Sequence, residues 1–222
     1  MSDVQGVWLV VGGAFVFMVA ILVLLARQLS PLQKRLISLA TSFGWENPRR
    51  RWWPGSIRGV WRGFDVQLLH MGRYKSVPER LQLTVKTASP ARVIVKRRWH
   101  GFLSKPITLF GPPLVEPMNI ADRERYWIRS DELALVERLF AHAAVAPALE
   151  LNLIASFDLV DLQTKKLRIL RSIDEGAVRQ HFNRPRFRFG RDVELIAIIA
   201  AEEWKLATVI VESLGLRGYE PS

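Results

Sequence analysis

The sequence predicts an α+β fold: one N-terminal transmembrane helix followed by a cytoplasmic antiparallel sheet packed by two or three helices. Three observations lead to this expectation. Residues 7–26 carry no charge. β-rich runs separated by Gly, Pro and Ser fill the middle of the chain, and helical periodicities flank that middle on both sides.

The span comes first. Thirteen of the 20 residues from Val7 to Ala26 are Leu, Ile, Val or Phe, which at roughly −0.3 to −0.6 kcal/mol each gives about −4 to −8 kcal/mol for insertion. At 1.5 Å per residue the stretch matches a hydrocarbon thickness of about 30 Å. A cleaved secretory signal needs a basic leader and a small-residue cleavage site, whereas Asp3 precedes this run and Arg27 and Gln28 follow it. Residues 1–26 hold no Lys or Arg, and residues 27–62 hold eight against one acid, Glu46. The positive-inside bias then predicts residues 1–6 as a short outer end, 7–26 as a single pass through a bacterial inner membrane, and everything beyond as cytoplasmic. Gly12, Gly13 and Ala14 lie inside the span, where small residues let a neighbouring helix approach.

Composition narrows the remainder. The residues beyond the span suit one compact domain, or two very small ones, with enough chain to bury a real core. With no cysteine in the chain, disulfides, thiolate metal sites and cysteine nucleophiles are excluded. Much of the net charge of +11 sits in residues 27–62, where anionic headgroups would attract each Lys or Arg by about 1 kcal/mol. Nucleic acid is not needed to explain it.

Residues 27–62 read as an amphipathic helix followed by a basic, Trp-rich juxtamembrane collar. Ser30 and Pro31 form an N-cap and first-turn pair, Leu32, Leu36, Leu39 and Phe43 recur at helical spacing, and Gly44 ends the helix. Such a helix either lies on a membrane or partner, or packs as part of the domain. From Trp45 to Trp61 the chain is dense in Arg and Trp with Pro and Gly breakers, which predicts irregular structure. Arg49, Arg50, Arg51, Trp52 and Trp53 would seat this collar at the headgroups or form a protein interface, since Arg and Trp suit both.

Residues 63–222 form the α+β domain proper. Phe64–His70, Arg80–Thr87 and Arg92–Arg98 are the central strands, with Leu81, Leu83 and Val85 alternating against Gln82, Thr84 and Lys86. A Pro-rich connection leads to a strand at Arg125–Arg129, after which Ser130 caps a helix from Asp131 to about Ala144. Residues 148–154 fit helix or strand equally. Phe157–Leu162 and Lys166–Ser172 read as a hairpin, and Arg191–Leu214 as a core helix stopped by Gly215. Glu202, Glu203 and Lys205 argue against a second span.

A search for catalytic chemistry returns no candidate. His70, His100, His142 and His181 are scattered, with no pair at metal-binding spacing. Asp122 with Glu124 and Asp158 with Asp161 read as exposed strand charges. The chain contains neither a G-x-x-x-x-G-K-[ST] loop nor a G-x-S-x-G elbow. No catalytic residue, cofactor, metal site or small-molecule substrate is therefore expected. Two basic clusters remain as candidate anion contacts: Lys96, Arg97 and Arg98, and then Arg184, Arg186, Arg188 and Arg191, which interleave with Phe187 and Phe189.

Gly59-x-x-x-Gly63 before a strand, the runs Arg80–Thr87 and Arg125–Arg129, and the Ser130-capped helix resemble a domain of uncharacterised bacterial single-span membrane-anchored proteins over residues 44–214. In architecture the chain is similar to the H subunit of photosynthetic reaction centres: a short outer end, one span and a largely β cytoplasmic domain. The analogy implies a non-catalytic, single-span accessory subunit that scaffolds an inner-membrane complex, with a photosynthetic or respiratory assembly as the kind of host. Its partners would be integral membrane proteins and lipids. The second expectation is a membrane-tethered binder of anionic lipid or nucleic acid, using the two basic clusters.

Overall fold

Period-two alternation of apolar and polar side chains builds most of the computed structural model, which describes residues 15–18, 31–51, 55–72, 79–97, 112–115, 126–150, 155–173 and 193–218. The strands are β1 (Glu46–Arg50), β2 (Ser56–Trp61), β3 (Phe64–Met71), β4 (Arg80–Val85), β5 (Thr87–Ala88), β6 (Val93–Arg97), β7 (Tyr126–Ser130), β8 (Ala155–Gln163), β9 (Lys166–Ile173) and β10 (Arg217–Gly218). Eight of them form one sheet in the order β1-β2-β3-β4-β9-β8-β6-β7, and β5 pairs with β10 separately. Every pairing is antiparallel. In β3, Phe64, Val66, Leu68 and His70 point to one face and are buried, while Asp65, Gln67, Leu69 and Met71 on the other are half-exposed.

Register aligns these faces across the sheet. Ile57, Leu68, Leu83, Ile169, Val160, Val95 and Ile128 are successive cross-strand partners and are all buried. Over this inner face lie α1 (Pro31–Ser42), α2 (Leu133–Ala141), α3 (Val145–Glu150) and α4 (Val193–Leu214). Helix α4 is the keystone: it packs on β4, β9 and all three other helices. Its Leu195, Ile196, Ile199, Leu206, Ile210 and Leu214 enter one continuous core.

Two glycines stop the helices that frame this core. After α1, Gly44 has φ +76°. Its N–H donates to the Thr41 carbonyl and the Trp45 N–H donates to the Ala40 carbonyl, both at 3.0 Å. This glycine-capped arrangement satisfies the last helical carbonyls and turns Trp45 inward. Gly215, φ +59°, ends α4 the same way, with Leu216 N–H on the Val211 carbonyl at 3.0 Å. Gly44→Ala meets no steric obstacle but strains the left-handed backbone. It should lower stability by about 1 kcal/mol, a fall of about 2–4 °C in the thermal midpoint, which calorimetry of the purified chain measures.

Several sequence expectations need correction. The supposed irregular collar contains β1 and β2, because Ile57, Gly59 and Trp61 alternate inward. Ser130 ends β7 instead of capping a helix; its Oγ accepts the Glu132 N–H at 3.0 Å and the helix begins at Leu133. That helix stops at Ala141, and Val145–Glu150 forms a separate short one.

The membrane span is the largest correction. Of residues 7–26 only 15–18 are described; they are helical, and Phe15 is 62% exposed. Among the described residues no helix is long and apolar enough to cross a membrane. In α4, 22 residues long, Glu202, Glu203 and Lys205 interrupt the apolar run. The transmembrane element of the predicted fold class is therefore withdrawn. With it go the single-pass topology and the inner-membrane localisation with the N-terminus outside.

Candidate interaction face of the sheet

The two faces of the sheet have different chemistry. On the inner face Trp204 of α4 stacks on Phe43 with ring centroids 5.8 Å apart, and meets Trp45 at 5.2 Å and Trp61 at 4.9 Å in edge contacts. Trp45, Trp61, Trp204 and Phe43 thus make core, whereas Trp52 and Trp53, the Trp residues expected at headgroup level or on a partner, lie outside the described residues. Leu32 and Leu36 are buried, and Leu39 and Phe43 pack against the same core, so the apolar stripe of α1 is used within the domain. The cleft lined by Leu36, Phe43, Trp45, Leu83 and Trp204 has a volume of about 10 Å³, room for about one water. It is too small for an organic substrate.

The inner face also buries charge. His70 Nε2 is hydrogen-bonded to Glu79 Oε1, and both side chains are enclosed. Farther across, Arg171 on β9 and Glu203 on α4 are completely buried, and Arg171 Nη2 donates to the Ala148 carbonyl at 3.1 Å. Neither Glu203 carboxyl oxygen has a hydrogen-bond partner. Burial pushes the Glu203 carboxyl well above its ordinary range, and the Arg171 charge offsets this only in part. Arg171 and Glu203 lie where α4 packs on β9. Local spacing does not mark these groups; their signal is parity, since His70 continues Phe64, Val66 and Leu68, and Arg171 continues Leu167 and Ile169.

No helix among the described residues covers the outer face. One row of cross-strand partners there runs Leu69, Gln82, Leu170, Leu159, Lys96 and Trp127. All are half-exposed except Lys96, which is exposed. The next row runs Arg58, Gln67, Thr84, Arg168, Asp161, Ile94 and Arg129. On the other side of the first row, Arg80 Nε donates to Ser172 Oγ at 3.3 Å.

Two carboxylates organise this positive surface. Asp65 accepts from Arg58 Nη2 and Lys86 Nζ, each at 2.8 Å. Lys86 first, then Arg58, holds its carboxyl below the ordinary range despite partial burial. Asp161, only 2% exposed, accepts from Arg92 Nε at 3.1 Å, Arg168 Nη2 at 3.3 Å and Gln163 Nε2 at 2.6 Å. Each carboxylate holds two cations, so each cluster retains positive charge while its side chains are positioned. Arg92, Arg168 and Asp161 are therefore a fixed network, not the isolated exposed strand acid that the sequence suggested.

The other predicted contacts are dispersed. Arg49 and Arg51 are exposed and Arg50 half-exposed, at or just beyond the edge strand β1, with Arg51 Nη1 donating to Gln67 Oε1 at 3.3 Å. Lys96 belongs to the outer face, next to Leu159. Arg97 ends β6. Gly12, Gly13, Ala14, Trp52, Trp53, Arg98, Arg184, Arg186, Arg188 and Arg191 lie outside the described residues, as do His100, His181, Asp122 and Glu124. His142 is at the exposed end of α2 and accepts the Ala144 N–H on Nδ1 at 3.3 Å. Among the described residues no cluster of His, Asp or Glu is arranged to hold a metal.

No family model matches this chain, and no curated protein matches it. Neither the expected membrane-anchored domain family nor the reaction-centre H subunit receives support from these comparisons. Among solved structures the chain is similar to the mycobacterial trehalose monomycolate transport factor A, TtfA, at 13% identity over 86% of this chain and 98% of that one, with a TM-score of 0.39.

Proposed function

We propose that this domain is a non-catalytic binding module, a scaffold that holds a protein partner on the outer face of its sheet, which no helix among the described residues covers. The observation that carries this reading is the row Leu69, Gln82, Leu170 and Leu159, in register across four strands, in which three half-exposed leucines flank one glutamine and are bordered by positioned arginines. Apolar contact supplies affinity and the charged border supplies orientation and association rate. The groups best suited to acid–base work, His70 and Glu79, are enclosed on the opposite face, which supports binding over catalysis.

A photo-crosslinking amino acid placed at Leu69 or Leu170 in the source cells tests the proposal. Expected are adducts of discrete mass from these two positions. None should form at Ile198, an exposed apolar position on α4 that serves as the control. Equal labelling from both faces, or no adduct from the sheet, would refute the binding face.

A further inference from the structure

We infer that the occupant of the outer face is an acidic amphipathic helix of a partner protein, laid across the strands. Its apolar side chains would rest on Leu69, Leu170 and Leu159, with carboxylates meeting Arg58 and Arg168 along one flank and Arg80 along the other. This rests on the reading of that face as a protein-binding surface, and it adds the chemistry of the partner.

Spacing supports a helix. Leu159 and Leu170 are on adjacent strands, and Leu69 is two strands beyond Leu170. At about 4.8 Å per strand the steps are roughly 5 Å and 10 Å. A helix returns the same face every 5.4 Å or so, so side chains one and two turns apart meet these steps. An extended strand laid across the sheet would repeat at about 7 Å on one face and lose register.

Charge selects acidic groups. The carboxylates of the two outer-face clusters, Asp65 and Asp161, already hold two cations each, and Lys96 extends the leucine row as an exposed positive end. A second copy of this chain would bring a net +11 and the same cations against them, which disfavours self-association through this face. Nucleic acid binding to a sheet uses rings on which bases stack. Here the central row offers leucines, with Trp127 only at its far end on β7.

The test is fluorescence anisotropy of the full chain with three labelled probes. These are a Leu/Glu amphipathic peptide of about 18 residues, the same peptide with Lys for every Glu, and an oligothymidylate of roughly 20 nucleotides. The acidic peptide should bind at least about tenfold more tightly than the basic one, a difference of about 1.4 kcal/mol, and should weaken as salt rises. Leu170→Asp should abolish this preference with the thermal midpoint checked alongside. Lys96→Glu, at an exposed position outside the core, should weaken the acidic peptide several-fold at an unchanged thermal midpoint. Equal affinity for both peptides, tighter binding of the oligonucleotide, or unchanged affinity in Lys96→Glu would overturn the inference. If the peptides fail while crosslinks from Leu69 still capture a discrete protein, the acidic helix is wrong and the binding face stands. If both fail, the binding face falls as well.

Discussion

Trp204→Ala should cost about 3–5 kcal/mol of stability, lowering the thermal midpoint by roughly 6–20 °C for a domain of this size. Trp204 is buried near the middle of α4 and touches rings from three other segments: Phe43 just after α1, Trp45 just before β1 and Trp61 at the end of β2. Removing the indole loses its apolar burial and enlarges the small cleft that already lies between α1, α4 and the sheet. The surroundings cannot collapse easily. Arg35 of α1 reaches Glu194 at 2.8 Å and Arg62 after β2 reaches Glu212 at 2.9 Å, fixing both ends of α4, although exposed pairs like these contribute little energy themselves. Trp204→Phe keeps an aromatic ring beside Phe43 and should lose substantially less. Denaturant melts of the two variants decide the matter: a loss below about 1 kcal/mol for Trp204→Ala would mean that this cluster does not hold α4 to β2.

Glu203→Gln should make the protein more stable at pH 8 and leave stability nearly unchanged below about pH 4.5. In the folded state, burial keeps the Glu203 carboxyl protonated well above the ordinary value of 4.5. The unfolded chain releases that proton at the ordinary value, so above it the native state binds more protons than the unfolded one. Stability therefore falls as pH rises from about 4.5 up to the raised native value, each unit of displacement being worth about 1.4 kcal/mol. Glutamine mimics the neutral acid without titrating, which removes the slope. Arg171 acts in the other direction on Glu203, so Arg171→Met should carry the pH-dependent loss of stability to higher pH while also losing the hydrogen bond to the Ala148 carbonyl. Thermal midpoints of the three proteins across pH 4–9 provide the readout. Parallel curves for wild type and Glu203→Gln would show that Glu203 titrates normally.

Local rules make some elements legible without a structure. Alternation in Phe64–Met71 and Arg80–Val85 determines which side chains face inward, because a strand turns successive side chains to opposite faces. Glycine's freedom at positive φ marks the ends of α1 and α4 at Gly44 and Gly215. The hairpin between β8 and β9 is read from two β-rich runs on either side of Gln163–Lys165, and the Gln163–Lys166 pair closes it over Thr164 and Lys165.

Hydropathy misled where it was strongest. A run of apolar residues at 7–26 satisfies a transfer-energy criterion, yet no described helix is long and apolar enough to cross a membrane. Arg and Trp density suggested a headgroup collar, but density does not say which way a side chain points. Trp45 and Trp61 turn inward because a glycine-capped helix end and strand alternation direct them there.

By itself, then, the sequence determined strand faces, helix stops and the absence of thiol chemistry, since these depend on backbone geometry over a few residues and on composition. Only the tertiary structure decided that β9 lies between β4 and β8, and that placement has three consequences. It sets Arg171 in the core where α4 brings Glu203, aligns Leu69, Leu170 and Leu159 into one half-exposed row, and collects Arg92 and Arg168 around Asp161. Periodicity cannot encode such pairings. It is a property of one segment, whereas a strand's neighbour is chosen by the burial and hydrogen bonding of the whole sheet.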